Sequence, residues 1–128
     1  MSNLQSDRIT INDCQIRAVR ETFTSTTKTI TVVVANYHSC YVDFMALRTL
    51  GSDNIAYWHG FLNNNYNTGY AHPLDFEAGD GNLALTFTEN AGSSQGTYTF
   101  GLDSSGSAAT FTMYLYQLTS SVPSISVS

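Results

Sequence analysis

Positive charge is scarce in this chain of 128 residues, and it stops early: Arg8, Arg17, Arg20, Lys28 and Arg48 are its only cations. Six acids and no cation follow Arg48, so the first 48 residues carry a net +1 and the remainder −6. Phosphate backbones and anionic lipid are bound chiefly through Lys and Arg, so this distribution argues against nucleic acid and against a membrane surface as partners. Charged residues of either sign make up 12% of the chain, too few to solubilise long amphipathic helices, which excludes a helical bundle or coiled coil. The longest aliphatic run, Val32 to Ala35, is far below the ~18 residues that suggest a membrane span. Asp7, Arg8 and Asp13 interrupt any run of signal-peptide length near the start, so the expectation is a soluble chain without a signal peptide. Only two cysteines occur, Cys14 and Cys40, too few for a disulfide framework; they are expected as reduced, partly buried thiols.

What is abundant is Thr, Ser and Asn, 41 residues in all, whose side chains favour strands, turns and caps over helix interiors. Together with 42% hydrophobic residues in a length suited to one core, this composition reads as a single all-β domain. Apolar residues alternate with polar ones in short runs separated by Gly, Asn, Asp and Ser. Ile30, Val32 and Val34 share one face, and so do Val42, Phe44 and Ala46. Leu83, Leu85 and Phe87 answer Tyr98, Phe100 and Leu102 in the clearest hairpin, and Phe111, Met113 and Leu115 complete the core. The run Ile55 to Leu62 carries rings on both parities, which suggests a strand covered on both sides. About seven or eight strands are expected, in an antiparallel β-sandwich of jelly-roll type. Its core spans residues 29–118, with residues 119–128 as a weakly ordered tail.

Residues 3–16, NLQSDRITINDCQI, have a different rhythm: Ile9 and Ile11 alternate, Asn12 and Asp13 interrupt, and Cys14 and Ile16 resume. Two readings fit, an ordinary first strand and turn, or one rung of a parallel β-helix, which would need stacked neighbours to bury its apolar face. On the rung reading, residues 17–28 are a linker and the chain is part of something longer. A rung, a linker and a compact Thr-, Asn- and Tyr-rich β-domain together resemble the terminal region of bacteriophage tailspikes and tail fibres. The resemblance extends over the whole chain as texture and rests on no diagnostic motif. It implies a jelly-roll or tumour-necrosis-factor-like sandwich that trimerises and binds glycan without catalytic activity, placed in the virion tail and made in the host cytoplasm. Its implied partners are host cell-surface glycan, two further copies of the chain and a longer tailspike chain.

Tyr57 to Pro73 is the richest window for chemistry, with Tyr57, Trp58, His59, Phe61, Tyr66, Tyr70 and His72 around Asn63, Asn64, Asn65 and Asn67. Rings stack on the C–H faces of sugars while amides bond their hydroxyls; the same rings also anchor protein cores and interfaces. Trp58, Tyr66, Asn67, Tyr70 and His72 are the candidate ligand-binding residues, the last four because loops on a rigid β scaffold carry function. In the string DFEAGDGN, Asp75, Glu77 and Asp80 offer oxygen ligands that could hold Ca²⁺, although Asp and Asn beside Gly are equally what a tight turn requires. No other cofactor is indicated. Gly92 to Gly96 fits G-x-S-x-G, but that motif needs a turn from strand into helix and here lies between two strands, so it reads as a small-residue turn. No residue pattern warrants an enzyme. A purely structural virion protein, with the same rings sealing subunits together, is the competing expectation.

Overall fold

A computed structural model describes residues 3–24, 27–48, 55–80 and 82–128, with Asn3 and Asp80 as backbone positions only. Eleven strands and no helix occur among them: β1 Asn3–Ile11, β2 Cys14–Phe23, β3 Thr27–Ala35, β4 His38–Arg48, β5 Ile55–Asn65, β6 Thr68–Glu77, β7 Gly79–Asp80, β8 Leu83–Asn90, β9 Gln95–Asp103, β10 Ala109–Gln117 and β11 Ser124–Val127. They form a six-stranded sheet, β1-β2-β10-β4-β5-β6, and a five-stranded sheet, β11-β3-β9-β8-β7, with every pairing antiparallel. The two sheets face each other as a sandwich.

The alternation read from sequence is the alternation that is buried. Ile30, Val32 and Val34 of one sheet and Cys40, Val42 and Phe44 of the other are no more than 1% exposed. Phe44 links the layers, with ring centroids 5.3 Å from Phe100 and 6.1 Å from Phe111. Each such side chain contributes about 1.5–3 kcal/mol by leaving water. The β8–β9 hairpin pairs Leu85 with Leu102 and Phe87 with Phe100, in the register its alternation predicts. The loop that joins its two strands contains the G-x-S-x-G letters. There the buried Asn64 amide donates to the Gly92 carbonyl (3.0 Å) and accepts from the Gly92 N–H (3.3 Å), so the loop is fastened to β5 and leads into a strand.

Four expectations are corrected. Of the two readings of residues 3–16, the strand and turn holds and the β-helix rung does not: β1 and β2 form an antiparallel hairpin, with Asn12 and Asp13 both at positive φ (48° and 66°), the conformation a two-residue hairpin turn demands and Asn and Asp tolerate. The expected linker is instead strand up to Phe23, because β2 pairs along β10 from Tyr116↔Ile16 to Ala109↔Phe23, and Thr27 and Lys28 already belong to β3. Residues 119–128 are tied down. Strand β11 pairs with β3, Ser128 and Thr29 exchange two backbone hydrogen bonds of 2.9 Å, and Arg17 Nη1 donates to the Pro123 carbonyl at 3.3 Å. Ser-rich composition hid this strand, but Ile125 and Val127 alternate and pack against the core. Strand β5 is covered on one side only: Ala56, Trp58 and Leu62 are buried, whereas Tyr57 and His59 are half-buried and Phe61 exposed on the outer face. The thiols are free; Cys40 is buried and Cys14 is exposed at the end of the first hairpin.

One buried ion pair joins the layers. Lys28 Nζ of β3 lies 2.5 Å from Glu21 Oε2 of β2, with the Glu21 side chain 3% and the Lys28 side chain 15% exposed. Among the described residues no hydrogen-bond donor of suitable geometry otherwise meets that oxygen.

Candidate functional site

Antiparallel pairing places residues of the outer face of the six-stranded sheet in rows that run across the strands. One row reads Ile9, Ile16, Tyr116, Tyr41, Phe61, His72, from β1 to β6. The Tyr41 ring lies 5.2 Å from Phe61 and 5.7 Å from Tyr116, so three rings from three strands form a continuous aromatic surface. At its end Tyr70 and His72, on the same face of β6, stack with centroids 5.8 Å apart and planes 9° from parallel. Ser39, Asn63, Leu118 and Thr119 close a shallow hollow of about 580 Å³ with Phe61, Tyr70 and His72. Asn63 Nδ2 donates to Ser39 Oγ at 2.6 Å, and His38 Nδ1 is 2.8 Å from Thr119 Oγ1. This end of the sheet therefore offers ring faces bordered by an amide and hydroxyls.

The neighbouring row reads Asp7, Ala18, Tyr114, Asp43, His59, Asp75. His59 Nδ1 is 2.7 Å from Asp43 Oδ1; a carboxylate only accepts, so the proton sits on Nδ1 and Nε2 is left as the ring's second polar atom. Tyr57 donates to Asp75 Oδ2 at 3.1 Å, and that bond, with the charge behind it, raises the phenol above its ordinary pKa. Beyond these polar rows the face turns apolar. Met45, Leu47 and Ile55 are 44%, 52% and 46% exposed around a groove of about 640 Å³ that also includes Arg20, Tyr57 and Thr112.

Of the five ligand-binding residues expected from sequence, the fold brings two together. Tyr70 and His72, expected in a loop, lie instead in β6, paired with Asn63 and Phe61 of β5, and form the shelf. Tyr66 and Asn67 make the β5–β6 turn itself, at φ 41° and 61°, with the Tyr66 N–H bonded to Asn36 Oδ1 at 2.6 Å. Trp58 points the opposite way, 4% exposed, its indole stacked on Phe87 at 5.3 Å and edge-on to Phe100 at 5.5 Å. Asp75 and Glu77 sit on the outer face of β6, the first held by Tyr57 and the second accepting from the Gly79 N–H at 3.2 Å; the Asp80 side chain lies outside the described residues. Among the described residues no group of three His, Cys, Asp or Glu side chains is arranged to hold a metal ion. Tyr41, Tyr116, Ser39 and Thr119 were not singled out from sequence. The parity of Tyr41 in β4 and of Tyr116 in β10 was legible, but their alignment with Phe61 is a matter of strand order.

No protein-family model and no curated protein sequence matches the chain. A structural likeness does exist. The fold is similar to part of a tailspike protein, gp49 of Acinetobacter baumannii bacteriophage Fri1, described as a capsular polysaccharide depolymerase. The TM-score is 0.54 at 13% identity, over 98% of this chain and 21% of that one. The chain thus spans about a fifth of the tailspike's length, and the likeness is one of fold. No helix of the described residues is long and apolar enough to cross a membrane.

Proposed function

We propose that this chain is a non-catalytic, glycan-binding and trimerising domain of a phage tailspike or tail fibre, acting in the virion tail. The observation that carries the reading is the Tyr70–His72 shelf at the end of the Tyr116–Tyr41–Phe61 row, bordered by Asn63 and Ser39. Ring faces take the C–H surface of a sugar, and the amide and hydroxyls take its hydroxyl groups. The resemblance of fold to part of a tailspike supports the tail context. With no cation after Arg48, the shelf suits neutral rather than polyanionic glycan. A shallow site of this kind binds weakly, and three copies on one axis raise avidity by making later contacts intramolecular.

The test has two parts. Light scattering on the purified chain should give three times 14.0 kDa, and binding to host cells should fall in Tyr70→Ala and His72→Ala. A stable monomer that binds host cells equally well with and without these side chains would overturn the proposal. A purely structural virion domain is the second reading, favoured by the exposed Met45, Leu47 and Ile55, since obligate interfaces are apolar. It predicts a trimer broken by Leu47→Asp, with no saccharide bound at any concentration.

A further inference from the structure

The sandwich is open along one side, and the reason lies in β6 and β7. A bulge between His59 and Gly60 shifts the β5–β6 register, so that Gly60 faces Pro73 and Trp58 faces Phe76, with Leu74 as the extra residue. A side chain at Gly60 would strike the His72 carbonyl at 2.3 Å, so the close approach that makes the bulge depends on that glycine. Phe76 is thereby turned to the core face, opposite the buried Trp58, yet it remains 57% exposed. Strand β7 is two residues long, and beyond the Leu85 N–H bond to the Ala78 carbonyl (2.8 Å) no described strand pairs with β8 on that side along Thr86 to Glu89. An inward-facing Phe that nothing covers is the anomaly here.

What remains is a cleft of about 400 Å³ between β6 and β8, lined by Trp58, Pro73, Phe76, Leu85, Phe87 and Glu89, a size within the range of small-molecule sites. Glu89 pairs with the buried Tyr98 and so points inward, the one charged group among those six. Its carboxylate leans on Gly69, where a Cβ would lie 2.6 Å from Oε1. One end of the cleft thus offers a carboxylate acceptor, and the rest is ring and aliphatic surface.

We infer that this cleft is a second glycan subsite, which takes one neutral pyranose of a chain or its branch. The C–H face packs on Phe76 and Phe87, and hydroxyls donate to Glu89. Charge decides the class of ligand: among the described residues lining the cleft the only ionised group is an acid, and no cation exists in the chain beyond Arg48, so uronates, sialates and phosphates are repelled. A wholly apolar occupant would bury the Glu89 carboxylate without a donor, which is costly. The inference rests on the glycan reading above for its ligand but uses different residues.

Trp58 is the only tryptophan and lies in the cleft wall, so its emission reports on this site. The full chain is titrated with neutral gluco-, galacto- and manno-configured oligosaccharides, with and without N-acetyl groups, and with uronate oligosaccharides as controls. One neutral series is expected to change Trp58 emission saturably, with about tenfold or greater weakening in Phe76→Ala and in Glu89→Gln, because each removes a contact of the bound ring. Phe76 and Glu89 are exposed, so these variants should fold, and unchanged thermal melts check this. Silence of Trp58 toward all neutral sugars, a response only to uronates, or affinity unaltered in both variants would overturn the inference. If Trp58 stays silent while Tyr70→Ala still abolishes binding to host cells, the cleft proposal fails alone. If both measurements are negative, the glycan reading fails with it.

Discussion

Replacing Lys28 by Met should unfold this protein at a much lower temperature, although the new side chain is well sized for the site. The Glu21 carboxylate sits on the core face of β2, opposite Phe111, with 3% of its side chain exposed and the Lys28 ammonium 2.5 Å away. Removing one partner of a buried pair leaves an uncompensated charge and costs about 3–5 kcal/mol; because Lys28 keeps 15% exposure, the lower end, about 3 kcal/mol, is expected. A domain of this size has an unfolding entropy that makes 1 kcal/mol worth about 4 °C, so the midpoint should fall by about 12 °C. Glu21→Gln should cost less, because the orphaned Lys28 can carry its ammonium toward water along its flexible stem. The double variant Glu21→Leu with Lys28→Met should recover most of the loss, since an apolar pair satisfies the same space without desolvating charge. The assay is thermal and urea unfolding of all four proteins at one concentration, because any oligomer makes the midpoint concentration-dependent. A Lys28→Met protein within about 1 kcal/mol of the parent, or a double variant worse than either single one, would refute the reasoning.

Two further outcomes follow from the structure. Burial pushes the Cys40 thiol up to about 12, and burial followed by the nearby Glu89 charge pushes the Tyr98 phenol up to about 12. Both are raised above their unfolded values, so the stability they contribute is complete below about pH 9 and is lost as pH rises toward 12; urea melts across that window should show it, and Cys40→Ala should flatten the lower part. The calcium expectation for Asp75, Glu77 and Asp80 is tested by melting in millimolar calcium against a chelator. Coincident curves are expected, because Asp75 is engaged by Tyr57 and Glu77 turns back on Gly79, whereas a rise of several degrees in calcium would show that the segment binds it.

Period-2 alternation determined the all-β class, the buried faces of the Ile30, Val42, Leu83, Tyr98 and Phe111 strands, and the β8–β9 hairpin, because a buried sheet face demands apolar residues at every second position whatever lies across from it. Composition likewise determined where cations are missing. Alternation could not show that residues 3–16 belong to a hairpin whose second strand runs along β10 instead of to a stacked rung, since the same local pattern satisfies both and only the partner strand differs. Nor could it separate the two faces of β5, where rings occupy both parities; the five-stranded sheet covers Trp58 and leaves Phe61 outside. The candidate site was legible only as a list of residue types. Tyr70 and His72 become a shelf because β5 and β6 align them with Phe61 and Asn63, while Tyr66 and Asn67, equally prominent in the sequence, are spent on a turn. Residue identity carries the chemistry each group can do, but convergence from β10, β4, β5 and β6 onto one surface depends on register and strand order, which long-range pairing decides.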